Sequence, residues 1–112
     1  MRRAVSGFSA WLLQRLSAVV MLAYTLFVLA HFWIDPPSSY EQWTGWLHRP
    51  AIAIVTGVFF VALLLHAWIG LRDVLMDYVD PLATRLALLT LLGLALLALG
   101  LWVARILFQT SA

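Results

Sequence analysis

The sequence contains no cysteine and no lysine, and only 11% of its residues are charged. Without cysteine the chain can form no disulfide, thiolate metal site or cysteine nucleophile, so any metal must use histidine or carboxylate ligands. The seven basic residues are all arginines and are spread singly, apart from the pair Arg2 and Arg3. Because a nucleic-acid-binding protein clusters its positive charge, we expect no nucleic acid as partner.

Apolar residues make up 64% of the 112 residues, a composition far from that of soluble globular domains. Three runs without acid or arginine lie at 16–34, 51–71 and 86–104, and each is long enough to cross a hydrocarbon core of ~30 Å as a helix. A chain of this length is one domain's worth of polypeptide, so we expect a single membrane domain over residues 1–112. The sequence therefore predicts an all-α integral membrane protein with three transmembrane helices in the lipid bilayer.

The segments between these runs are rich in proline and polar residues. Residues 35–50 hold three of the four prolines, so this segment should lie outside the bilayer, with a short interfacial helix that begins at Ser38 or Ser39. The dipeptide Asp80-Pro81 should end the second long helix, after an amphipathic extension that continues past Arg72 toward Asp77.

The first apolar run resembles a signal peptide superficially, since arginines precede it. It is longer than the hydrophobic region of a signal peptide, and no small-residue cleavage pattern follows it, so we expect a retained membrane helix. A mitochondrial presequence would be longer, amphipathic and richer in serine. The bacterial inner membrane is the simpler location.

The placement of arginines predicts the orientation, because basic residues stay preferentially on the cytoplasmic side. With a cytoplasmic N-terminus, five of the seven arginines fall inside and two fall outside. The inside group is Arg2, Arg3, Arg15, Arg72 and Arg85, and the outside group is Arg49 and Arg105. We therefore expect a cytoplasmic N-terminus and a periplasmic C-terminus.

His66 is the one histidine deep inside an apolar run. An ionisable group there is costly and indicates a functional site by default. On a helix, Ala62 and Gly70 lie one turn to either side of it, which leaves room for a flat macrocycle or for a closely packed helix. A haem ligand and a histidine that only hydrogen-bonds to another helix both remain open from the residues alone. A haem with two axial side chains would need its second ligand from a partner chain, because His31 and His48 lie toward the outer side.

Three further polar residues are candidates for binding. Arg15 begins the first run at the same end as His66, and its planar guanidinium matches either a haem propionate or a lipid phosphate. Tyr78 ends the second helix, where a phenol can donate to a quinone carbonyl or can serve as an ordinary interfacial residue. Asp77 lies near a helix C-terminus, where negative charge is unfavourable, so we expect contacts with a partner chain.

A specific block of sequence begins at His66-Ala67-Trp68-Ile69-Gly70 and continues through Val74-Leu75, Asp77-Tyr78-Val79 and Pro81-Leu82. This block resembles the hydrophobic membrane anchor subunits of succinate dehydrogenase, and the resemblance covers the whole chain in length and three-helix layout. It implies that His66 supplies one axial ligand to the iron of haem b and that Tyr78 hydrogen-bonds ubiquinone with Asp77 beside it. It also implies that Arg15 lies near the haem propionates.

The resemblance further implies a protein that is not an enzyme by itself and that works in electron transport and the tricarboxylic acid cycle. Its partners would be the cytochrome b556 subunit, which shares the haem, and the iron–sulfur and flavoprotein subunits. The alternatives are a fumarate reductase membrane anchor and a small assembly protein without cofactor. A small multidrug exporter would need a carboxylate within a span, and none of the three runs contains one.

Overall fold

The computed structural model describes the backbone of residues 2–109 and the side chains of residues 7–109. Within residues 2–109 the chain is helical with no strand, and the helices are α1 (Arg2–Ile34), α2 (Tyr40–Leu47), α3 (Pro50–Tyr78) and α4 (Leu82–Phe108). Three of them, α1, α3 and α4, are long and apolar enough to cross a membrane. The predicted all-α fold with three transmembrane helices is confirmed. The side chains of Arg2 and Arg3, on which the predicted orientation partly depends, lie outside the described residues.

Proline and capping residues set the ends of the helices. α1 ends before Asp35-Pro36-Pro37, and Pro50 begins α3, where its missing N–H costs no helical hydrogen bond. The Ser39 side chain caps α2 by accepting a hydrogen bond of 3.1 Å from the backbone N–H of Gln42. The interfacial helix that the sequence predicts from Ser38 or Ser39 therefore forms, with Ser39 as its cap.

Helix α3 lies between α1 and α4 and packs on both. The few buried residues are small or of middle size, since lipid offers no hydrophobic drive for helix association and packing depends on close approach of the backbones. They are Ser17, Ala53, Thr56, Ala62, Ile69 and Leu107. On α4, Gly93 and Gly100 face α3: an added Cβ would lie 3.6 Å from the Trp68 ring and 3.0 Å from a Leu64 methyl carbon. The glycines thus let α4 approach α3 closely.

Large apolar side chains cover the outside of the bundle, which measures 50 × 28 × 21 Å. On α4 they include Leu86, Leu91, Leu94, Leu97, Leu101 and Trp102, all more than half exposed. Such a surface is stable only against lipid or against other membrane helices. Trp68 is different, because its ring packs inward against Gly93.

A hydrogen bond between α1 and α3 joins the two helices near the middle of the bundle. The Tyr24 hydroxyl lies 2.7 Å from Oγ1 of Thr56, which is 3% exposed. The Tyr24 ring also stacks on Phe59, with centroids 4.5 Å apart. This contact fixes both the distance and the rotation of α1 relative to α3.

The turn between α3 and α4 is held by Arg85. Its Nε donates to the Val79 carbonyl at 2.9 Å, and its Nη2 donates to the Met76 carbonyl at 3.3 Å. The last carbonyls of a helix have no partner within the helix, so a basic side chain there satisfies them and complements the helix dipole. We call this end of the bundle the Arg85 end.

The opposite end, which we call the His48 end, is held by two histidines. His48 donates from Nε2 to the Ile106 carbonyl of α4 at 2.8 Å. His31 stacks on Trp46 of α2, with centroids 5.0 Å apart and planes 17° apart. Both rings serve to join α2 and its flanking segments to the long helices.

Replacement of Thr56 by Val should destabilise the α1–α3 contact by about 1 kcal/mol, the usual size of an interhelical hydrogen bond in a membrane. The shape is kept while the Tyr24 hydroxyl loses its partner. In a double-mutant cycle with Tyr24→Phe, measured by unfolding in sodium dodecyl sulfate, the combined loss should be smaller than the sum of the single losses. The matched control is Thr90→Val, since the Thr90 hydroxyl bonds only to Leu86 of its own helix. Additive losses for the Thr56 and Tyr24 changes would contradict the coupling.

Replacement of Arg85 by Leu should loosen the end of α3 without unfolding the bundle. Loss of the two hydrogen bonds from a charged donor, worth at least about 1.5 kcal/mol, should raise amide hydrogen exchange in residues 77–82 by about tenfold or more. Mass spectrometry of exchanged peptides measures this directly. Arg105→Leu, at the His48 end, serves as the control and should leave that segment unchanged. If the amides of residues 77–82 exchanged equally slowly in the wild type and in Arg85→Leu, the turn would not depend on Arg85.

Candidate functional site

His66 faces α1, and both of its ring nitrogens have a neighbour on that helix. Oγ of Ser17 lies 3.1 Å from Nδ1, and Nε2 of Gln14 lies 3.4 Å from Nε2 of the ring. Gln14 and Ser17 are three residues apart and therefore project from one face of α1. The sequence left open a macrocycle or a packed helix beside His66, and in this chain α1 takes the adjacent space.

Little bulk surrounds the imidazole along its own helix. Ala62, one turn before it, is buried against the neighbouring helices. Gly70, one turn after it, has only the Gln14 amide nitrogen near the position of a Cβ, at 3.5 Å. The Gln14 side chain therefore fills the space in front of Nε2 that these small residues create.

A cleft of about 580 Å³ opens between α1 and α3 near the Arg85 end. It is lined by Gly7, Ala10, Trp11, Gln14, Arg15, Ile69, Arg72 and Asp73. Gln14 belongs both to this lining and to the surroundings of His66, so it separates the cleft from the imidazole. His66 itself does not line the cleft, and the two are neighbours through Gln14.

The cleft carries more positive than negative charge. The Arg15 guanidinium lies over the Trp11 ring, 4.6 Å from its centroid, and its N–H groups have no hydrogen-bond partner among residues 7–109. Arg72 lies 3.4 Å from the carboxylate of Asp73, and both side chains are well exposed. Two guanidiniums against one carboxylate make the mouth of the cleft suitable for an anionic group.

The His66 imidazole can serve as one axial ligand of a haem iron, but the site offers too few donor side chains for a bare metal ion. Among residues 7–109 no group of three histidine or carboxylate side chains comes together to hold a metal. A haem iron already has four porphyrin nitrogens and needs from the protein only axial ligands, for which one neutral imidazole suffices. Gln14 Oε1, next to this imidazole, is a buried oxygen without a hydrogen-bond partner among residues 7–109, so the polar groups beside His66 are not fully satisfied.

Tyr78 and Asp77 lie apart from this site, at the last turn of α3. Tyr78 is 81% exposed, and Asp77 is exposed as well. At 1.5 Å per residue, Tyr78 is about 18 Å from His66 along the helix axis. The structure therefore places Arg15 in the cleft beside Gln14, which is the neighbour of His66, and leaves Tyr78 and Asp77 on an open surface beside the Arg85 turn.

Two residues of the site, Ser17 and Gln14, were missed by sequence reasoning. Their signal was available, since two uncharged polar residues three apart lie on one face of a membrane helix, and such a face is often turned toward protein. Apolar side chains are so frequent on all sides of α1 that this face was not recognised. His31 and His48, in contrast, hold the opposite end together and lie outside this site.

Comparison with known proteins gives a consistent result. Residues 1–102 match the succinate dehydrogenase/fumarate reductase transmembrane subunit family. The chain is also similar to the succinate dehydrogenase hydrophobic membrane anchor subunit of Coxiella burnetii, with 34% identity over 101 residues that cover 90% of this chain and 88% of the relative. The similarity thus extends over nearly the whole of both proteins. The chain belongs to the succinate dehydrogenase/fumarate reductase transmembrane subunit family.

Proposed function

We propose that this chain anchors a succinate:quinone oxidoreductase, respiratory complex II, to the bacterial inner membrane. Family membership and the three long apolar helices support this role. The Coxiella relative is named for succinate dehydrogenase, which favours succinate oxidation over the fumarate reductase alternative. The chain is non-catalytic by itself, and its partners are the flavoprotein, iron–sulfur and cytochrome b556 subunits. Its N-terminus lies in the cytoplasm and its C-terminus in the periplasm, so that the Arg85 end faces the catalytic subunits.

His66 holds one axial position of a haem b that is shared with the cytochrome b556 subunit. The observation that carries this proposal is an imidazole inside an apolar span whose Nε2 faces only a weakly bonded amide, 3.4 Å away. The Arg15 guanidinium pairs with a haem propionate at the mouth of the cleft. When bound, the haem supplies a one-electron redox centre.

Tyr78 hydrogen-bonds a quinone carbonyl through its phenol, and Asp77 lies beside it in the ubiquinone site. A phenol that is 81% exposed at the end of a membrane helix supports this role, because a partner protein and a substrate can both reach it. Arg85 keeps the helix end that carries Tyr78 in place. The rest of the quinone site belongs to the partner subunits.

Replacement of His66 by Leu should abolish axial ligation by this chain. We expect the dithionite-reduced complex to lose the low-spin b-type spectrum, since Leu has no lone pair to donate to iron. His48→Leu is the control and should keep the spectrum, because among residues 7–109 that ring hydrogen-bonds only to the Ile106 carbonyl of α4, at the opposite end. An unchanged spectrum for His66→Leu would remove His66 from the ligand set.

Replacement of Tyr78 by Phe should lower ubiquinone reduction by succinate about tenfold, as expected for one lost hydrogen bond in the substrate complex. Haem content and succinate oxidation with an artificial electron acceptor should stay at wild-type levels. Tyr40→Phe provides a matched control, since Tyr40 is similarly exposed at the opposite end. Ubiquinone reduction at the wild-type rate in Tyr78→Phe would rule out the assigned role.

A further inference from the structure

We infer that Ser17 is a positioning residue for the His66 imidazole: its hydroxyl oxygen holds the ring in the Nδ1–H tautomer and leaves the lone pair on Nε2. The inference rests on the proposed role of His66 as a haem ligand and extends that role to α1. Ser17 lies outside the block of sequence that carries the family resemblance.

The hydrogen-bond geometry of Ser17 selects the tautomer. Ser17 Oγ lies 2.9 Å from the Gln14 carbonyl and donates its one proton there. The same oxygen lies 3.1 Å from His66 Nδ1, so it can only accept at that contact, and Nδ1 must carry the proton. Ser17 is 5% exposed, which leaves little access for water as a competing partner.

The Gln14 side chain agrees with this assignment. Its amide nitrogen, a donor, faces Nε2 in this side-chain orientation, and an unprotonated Nε2 matches that contact. The contact is weak at 3.4 Å, and the other atom of the amide, Oε1, is buried without a partner among residues 7–109. A buried unpaired carbonyl is unfavourable, so Gln14 loses little when it leaves Nε2. Because Gln14 also lines the cleft, it has space to move into.

The hydrogen bond should also tune the ligand. A histidine that donates its second ring N–H to an acceptor is a more basic ligand and keeps a fixed ring orientation. A more basic axial ligand stabilises ferric over ferrous iron, so loss of the Ser17 oxygen should move the haem midpoint potential to a more positive value. The ring orientation should become less uniform at the same time.

The test compares Ser17→Thr with Ser17→Val in the purified complex. Thr and Val have nearly the same shape, so both add the same bulk to a buried position, and they differ only in the hydroxyl. Redox titration of the haem absorbance band and electron paramagnetic resonance of the ferric haem provide the measurements. Thr25→Val, whose native hydroxyl bonds to Met21 within α1, is the control for loss of a hydroxyl elsewhere on the helix.

We expect Ser17→Thr and Thr25→Val to match the wild type, and Ser17→Val to show a more positive potential with a shifted or broadened ferric signal. Loss of haem from an assembled Ser17→Val complex, with haem retained in Ser17→Thr, would support the inference equally. The inference would be overturned if the Ser17→Thr and Ser17→Val complexes both kept their full haem content, with the same midpoint potential and the same ferric signal. That result would leave the proposed function intact. A wild-type complex without haem would overturn the proposed function, and the inference with it.

Discussion

An imidazole within a hydrocarbon span must find its polar partners inside the protein, and this constraint organises the α1–α3 half of the bundle. His66 obtains them from Ser17 and Gln14, which requires α1 to lie close to α3 at one rotation. The hydrogen bond between Tyr24 and Thr56 sets the same rotation nearer the His48 end. Small residues at the contacts then permit the approach that both bonds need.

Helix α3 carries both candidate sites and is the structural centre of the chain. It lies between α1 and α4, with His66 in its interior and Tyr78 at its last turn. The two positions have opposite character, because one is enclosed by a neighbouring helix and the other is open. This difference fits the proposed division of roles, in which the chain itself prepares a haem ligand, whereas the quinone site is completed by partner subunits.

Much of the fold could be predicted from the sequence because charge and proline mark the limits of apolar helices so clearly. The break at Asp80-Pro81, the cap at Ser39 and the unusual position of His66 were all visible in this way. The partners of His66 were missed, since the polar pair Gln14 and Ser17 is a weak signal in an α1 that is apolar on nearly all sides and has no strong periodicity. The Arg85 contacts and the inward packing of Trp68 depend on how helices pair, and the exposure of Tyr78 depends on chains outside this one.

The central claim, that this chain holds haem within a succinate-oxidising complex, is tested most directly by one optical measurement. The complex would be purified from native membranes through a tag on this chain, and the succinate-reduced minus air-oxidised difference spectrum recorded. We predict a b-type haem band that succinate itself reduces. A complex without any haem, or with haem that only dithionite reduces, would contradict the claim.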